Sequence, residues 1–290
     1  MSAATKPAPA GPLLLVLAAV VSVQFGGAVA ATLVPVVGAA SSVLLRLGIG
    51  ALVLWLAVRP SLRGHSREAW RTVVLFGLAL GCMNWSFYAS LARLPIGVAV
   101  TIEFIGPLTL AAVLSRRAKD LVAVAAAALG VLLISHALTV PWSQLDLVGI
   151  GLALLAGAFW AAYVVLSQRT GAAFDNLDGL AIAMVVALAF ILPFGVGTIG
   201  DWTAAVWGKG AAIAVLSSAL PYSLELLALR SLSQQAFGIL LSLEPAVAAL
   251  AGLIVLGQRL EPLQLAGMAL VVAASALVLG GARHTPVEGG

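Results

Sequence analysis

A chain of 290 residues with 62% hydrophobic and only 9% charged side chains cannot clothe itself in water, since a soluble domain needs roughly a quarter of its residues charged. The small net charge of +4 is scattered and not gathered into a patch, which argues against a nucleic-acid partner. A lone cysteine, Cys82, excludes a disulfide framework and a cysteine metal site. A membrane protein fits these limits.

Cutting at charges and turn residues predicts ten apolar segments, at 12–31, 39–58, 72–91, 96–115, 121–138, 147–166, 179–199, 210–229, 236–256 and 262–281. Each approaches the roughly 20 residues that one crossing needs. Barrel strands would alternate over about ten residues, and these runs are longer and unbroken. The expected fold class is therefore an all-α polytopic membrane protein, in which each helix satisfies its own backbone in lipid.

The first segment carries Gln24 and follows Lys6. Ala28-Val29-Ala30 resembles a signal cleavage site, but the repeat described below requires this segment as a span. The second holds Arg46 and ends at Arg59-Pro60. Arg59, Arg63, Arg67 and Arg71 then recur every four residues, on one helix face suited to anionic lipid headgroups. The third contributes Asn84, Trp85 and Tyr88, with Gly77 and Gly81 as a close-packing pair.

Glu103 and Pro107 lie in the fourth segment, which ends near Arg116, Arg117 and Lys119. The fifth ends near His136 and Pro141-Trp142. Trp160 and Tyr163 lie in the sixth, and the seventh carries no ionisable residue beyond its entry at Asp178. The eighth brings Pro221, Tyr222 and Glu225, and the ninth Glu244 and Pro245. Ionisable side chains at membrane depth cost several kcal/mol and mark transport paths. Arg46, Glu103, Glu225 and Glu244 are therefore the candidate substrate and coupling residues.

An even number of spans puts both termini on one side. That side then holds Lys6, Arg59, Arg63, Arg67, Arg71, Arg116, Arg117, Lys119, Arg169, Arg230 and Arg283, against Arg93, Lys209 and Arg259 opposite. Basic residues favour the cytoplasmic side, so both termini are expected there. Trp142, Trp202 and Trp207 then fall at the outer interface and Trp70 at the inner one.

The fourth and ninth spans align around their acids, Gly97-Val-Ala-Val-Thr-Ile-Glu103 beside Gly238-Ile-Leu-Leu-Ser-Leu-Glu244. One span earlier, Asn84-Trp-Ser-Phe-Tyr88 parallels Pro221-Tyr-Ser-Leu-Glu225. Two halves are expected, 12–138 and 147–281. An odd number of spans in each gives them opposite orientation, the arrangement that supports alternating access about a midplane site.

These residues carry a resemblance covering roughly 12–281. With Leu45-Arg-Leu47, Pro95-Ile-Gly97, Glu103-Phe-Ile-Gly-Pro107, Ser115-Arg-Arg117, Ala219-Leu-Pro-Tyr-Ser-Leu-Glu225 and Leu243-Glu-Pro-Ala246, the chain resembles ten-helix members of the drug/metabolite transporter superfamily built from two EamA repeats. Its narrower resemblance is to the bacterial threonine/homoserine exporters. The resemblance implies an inner-membrane exporter with no cofactor. One departure is Leu229-Arg-Ser-Leu-Ser, where a proline is expected near the turn from the eighth span to the ninth.

Arg46 and Glu103 each lie about seven residues from the outer end of their spans, at a shared depth of roughly 10 Å. They read equally as a structural ion pair or as a zwitterion site, base to carboxylate and acid to ammonium. Three acids and one base leave −2 if all ionise, so one acid is expected to hold a proton part of the time. Glu244, nearest the midplane, is the first choice as proton carrier, while Glu225 stands near the cytoplasmic end as a gate or anchor.

Pro107, Pro221 and Pro245 are candidate helix breaks, because proline lacks the backbone N–H. Gln24, Asn84, Trp85, Tyr88, Trp160, Tyr163 and Tyr222 are candidate cavity liners. The partners expected are a small-molecule substrate, protons and membrane lipid, with no nucleic acid and no metal, for a monomer or homodimer. The rival within carriers is an exporter of lipophilic cations or other metabolites. An intramembrane enzyme would need a nucleophile–base pair or a metal cluster, and neither HExxH nor GxSxG occurs. A channel would need charge rings or filter repeats, which are absent.

Overall fold

The computed structural model describes residues 10–115, 117–135, 138, 140–141, 145–256 and 261–282. Among them helices alternate with turns and no strand occurs. The elements are α1 (Ala10–Ala31), a single turn α2 (Val34–Val37), α3 (Ala39–Val58), α4 (Arg67–Leu91), α5 (Ile96–Leu114), α6 (Ala118–Ile134) and α7 (Leu147–Ala173). They continue with α8 (Asp178–Gly195), α9 (Ala204–Ala214), α10 (Leu220–Leu229), α11 (Gln234–Leu241), α12 (Glu244–Leu256) and α13 (Pro262–Ala282).

Seven helical stretches among the described residues are long and apolar enough to cross a membrane. They are Gly11–Ala30, Ala39–Val58, Arg67–Leu91, Leu147–Ala173, Asp178–Asp201, Ala204–Leu229 and Gln234–Ala251. Shorter apolar helices cover Val98–Leu114 and Pro262–Leu277. The chain is a polytopic α-helical membrane protein.

The seventh predicted span ends in a 3-10 turn, Val196–Asp201, and two others are irregular in their interior. Between α9 and α10 lies a π-helical segment, Val215–Ala219. Its Leu220 N–H reaches back five residues to the Val215 carbonyl. Pro221, next in line, has no N–H to offer, so this span widens at the proline and does not break. The second irregularity is a true break: α11 ends at Leu241, Ser242 and Leu243 form a tight turn, and Glu244 opens α12 with Pro245 in its first turn. Pro107 behaves otherwise, since α5 runs through it as a continuous helix. The break expected at Pro107 is therefore absent.

α4 packs on α7 and α8, α5 on α7 and α11, α3 on α8 and α9, α1 on α10 and α12, and α6 on α13. Small residues permit the closest of these approaches. A Cβ at Gly106 on α5 would overlap the Gly157 carbonyl on α7, and one at Gly157 would lie 2.5 Å from the Glu103 carbonyl oxygen. The backbone bearing Glu103 thus rests directly on α7. Gly77 and Gly81 seat α4 on Val186 and Phe190 of α8.

Two sets of polar contacts lie at the ends of the bundle. At one end Ser41 donates to the Gly195 carbonyl, Thr198 to Ser41 and Trp202 to Thr198. Trp202 stacks edge-on against Trp207 there, with ring centroids 5.1 Å apart. Arg93 and Asp146 pair at 3.1 Å on this side. Asp146 also caps α7, and the Gly149 amide, followed by Arg93, holds its carboxyl below the usual carboxylate range.

At the other end, where α3 stops and α4 starts, the Ser61 amide donates to Asp178 and His65 stacks on Phe174 at 4.2 Å. Trp70 meets Phe174 there as well. Lys6, Arg116, His136, Trp142, Arg259, Arg283 and His284 lie outside the described residues.

Candidate substrate site in the bundle interior

The chain holds three tyrosines, and the fold brings Tyr88, Tyr163 and Tyr222 to one place. α3 delivers Arg46 to it, 9% exposed. α4 presents Asn84 and Tyr88 four residues apart and so on one face. Arg46 Nη2 donates to the Asn84 side-chain carbonyl and to the Tyr222 hydroxyl at 2.9 Å. Its Nη1 meets the Tyr88 hydroxyl at 3.5 Å, the outer limit for such a bond, and the guanidinium carbon stands 5.8 Å from the Tyr88 ring centroid. Asn84 Nδ2 donates in turn to Tyr222 at 3.3 Å.

Every hydrogen-bond partner of Arg46 is neutral, and its Nε is buried with no partner. The ion pair with Glu103 weighed from sequence is not formed: among the described residues, the one ion pair is Arg93–Asp146. A buried guanidinium without a counter-ion is costly. Arg46 is thus a fixed cation with a free donor, and a carboxylate entering from outside the protein would complete its shell.

The acids stand around the same space. Glu225, on α10 three residues after Tyr222, accepts from the Tyr163 hydroxyl at 2.8 Å. Glu244 accepts from Gln24 Nε2 on α1 at 3.2 Å. Glu103, 8% exposed, makes no hydrogen bond among the described residues and lies within electrostatic reach of Arg46. Glu244 interacts electrostatically with both Glu225 and Glu103. The polar groups therefore close a ring: Arg46, Glu103, Glu244, Glu225, Tyr163, Tyr222 and back to Arg46.

Trp85 falls outside this ring. It sits one residue past Asn84, about 100° around the helix, and packs on Phe194 of α8 at 5.3 Å. Trp160 meets Phe104, the neighbour of Glu103, edge-on at 4.8 Å. No group of three or more metal-ligating side chains occurs among the described residues.

Sequence reasoning missed Gln168 and Gln234. Gln168 Nε2 donates to the Leu229 and Leu232 carbonyls, both at 3.1 Å, and Gln234 donates to Gln168 Oε1 at 2.7 Å. Arg230 bonds the Phe174 and Asn176 carbonyls at 2.9 and 2.6 Å. These contacts fix the α10–α11 turn where the expected proline is lacking. Their signal in the sequence is weak, since Gln168 and Gln234 lie just outside the predicted apolar runs, whereas Gln24 lies within one.

Comparison with known proteins adds to this geometry. Residues 147–280 match the EamA-like transporter family. The chain is 41% identical to the threonine/homoserine exporter RhtA of Escherichia coli K12 over 266 residues, which span 91% of this chain and 90% of that protein. It is 40% identical over the same length to the threonine/homoserine exporter RhtA of Salmonella typhimurium SL1344. A crystal structure of a protein 16% identical covers 94% of this chain and 98% of its own, with a TM-score of 0.77, so the two share a fold. The chain belongs to the EamA-like transporter family, on the branch of the threonine/homoserine exporters.

Proposed function

We propose that this protein exports small neutral amino acids of the threonine or homoserine type across the inner membrane, in exchange for protons, by alternating access. The observation that carries the reading is the buried Arg46, bonded only to neutral groups and with its Nε unpaired. That arrangement suits a substrate carboxylate, and the ring of acids opposite suits an ammonium group. Glu103, within reach of Arg46, is proposed to hold the ammonium, and Glu244 to carry the coupling proton. Its similarity to threonine/homoserine exporters supports the same substrate class.

Ten spans in two inverted halves are part of the proposal. The helix pairings favour it: exchanging the halves turns α4 on α7 into α10 on α1, α5 on α7 into α12 on α1, and α4 on α8 into α9 on α3, and each of these pairs is present.

Cells expressing the protein should tolerate growth-inhibitory threonine or homoserine better than cells with an empty vector. Tolerance to lipophilic cations without tolerance to either amino acid would favour the acids over Arg46 as the recognition groups and overturn the reading.

The distribution of basic residues favours cytoplasmic termini, which belong to the same proposal. In a Cys82→Ser background, Thr203→Cys should react with an impermeant thiol reagent added to intact cells, and Ser66→Cys should react only after permeabilisation. Labelling of Ser66→Cys in intact cells would reverse the topology.

A further inference from the structure

Two of the acids are held by donors of unequal strength. Tyr163 gives Glu225 a phenolic O–H at 2.8 Å, whereas Gln24 gives Glu244 an amide N–H at 3.2 Å. A buried phenol needs some partner, which explains that a bond exists but not why it falls on this acid. The Tyr163 ring, 1% exposed, is wedged between Phe76 at 5.4 Å and Tyr222 at 5.7 Å, so its hydroxyl has one direction to point. α1 packs on both α10 and α12, and the two carboxylates they carry interact.

Like charges that interact at membrane depth share a proton and titrate as a pair. An O–H donated to a carboxyl group stabilises its ionised form more than its protonated one, because the charge-assisted bond is the stronger. Of the two donors, the shorter phenolic bond has the greater effect.

We infer that Tyr163 is a positioning residue: it holds Glu225 as the carboxylate and thereby leaves the proton of the pair on Glu244. The inference rests on the exporter reading above and supplies a reason why one acid, and not its neighbour, carries the coupling proton. The groups facing Glu225 are Tyr163 from α7, Tyr222 from its own helix and Glu244 from α12, with Glu103 and Arg46 completing the ring. α1 has no titratable side chain among its described residues, and the sole acid of α8, Asp178, is bonded to Ser61 at the far end.

The test is the infrared band of protonated carboxyl groups, followed through a pH titration of the purified protein in lipid. In the wild-type background, the band present at neutral pH should vanish with Glu244→Gln and persist with Glu225→Gln. In a Tyr163→Phe background the pattern should reverse, the band surviving Glu244→Gln and vanishing with Glu225→Gln.

A band lost with Glu225→Gln or Glu103→Gln in the wild-type background overturns the inference, as does the absence of any such band. So does a band still lost with Glu244→Gln after Tyr163→Phe. If Tyr163→Phe does not fold, a band that survives Glu244→Gln in the wild-type background still overturns the inference. No substrate enters this readout, so it fails or succeeds separately from threonine export.

Discussion

Arg46→Lys is expected to lower the kcat/KM for threonine efflux by at least about tenfold, although the charge is kept. Arg46 occupies its neighbours as a fork: Nη2 serves Asn84 and Tyr222, Nη1 points at Tyr88, and Nε is left over. A lysine ammonium is a single point on a flexible stem and cannot hold these partners while also meeting a carboxylate edge. Losing one hydrogen bond to a charged group costs about 1.5–3 kcal/mol, which corresponds to roughly ten- to a hundredfold in rate or affinity. Most of the loss should appear in KM, since the contact is with the substrate's carboxylate in its bound state. Efflux assays across a range of internal threonine concentrations check this. An unchanged KM would mean that the guanidinium is structural and that the carboxylate binds elsewhere.

Glu244→Gln is the second large effect. An amide keeps the shape of the side chain and can still bond Gln24, but it cannot exchange a proton. Gradient-driven efflux should fall to the level of empty vesicles, whereas exchange of labelled for unlabelled threonine, which needs no net proton movement, should remain measurable. Glu103→Gln should behave differently, raising KM while keeping the response to the proton gradient. Driven efflux by Glu244→Gln with unaltered pH dependence would move the coupling role to another acid.

Much of this architecture was legible from residues alone. The polytopic helical fold, the ionisable groups Arg46, Glu103, Glu225 and Glu244 within its helices, and the placement of Trp202 and Trp207 at the end away from Trp70 follow from composition and spacing, because the bilayer penalises charge so heavily. Helix irregularities were harder to read. Pro107, Pro221 and Pro245 look alike in sequence, yet one sits in a continuous helix, one follows a π-helical segment and one lies in the first turn after a break. Proline removes one N–H at each site, and the neighbouring helices decide how the backbone absorbs that loss.

Pairings between side chains were also beyond reach. Equal depth suggested an Arg46–Glu103 pair, but depth says nothing of rotation about the helix axis, and Arg46 turns to α4 and α10 instead. Trp85 packs on Phe194 of α8, since neighbours one residue apart face different helices. Tyr163 was a candidate liner among several, and its particular tie to Glu225 depends on how α7 packs beside α10.

The most direct measurement is efflux of labelled threonine from preloaded vesicles containing the purified protein, with and without an imposed proton gradient. Threonine and homoserine should leave faster than from empty vesicles, faster still when the external side is acidic relative to the interior, and this efflux should be lost with Arg46→Lys at low internal concentration. Efflux of a lipophilic cation with none of either amino acid would contradict it.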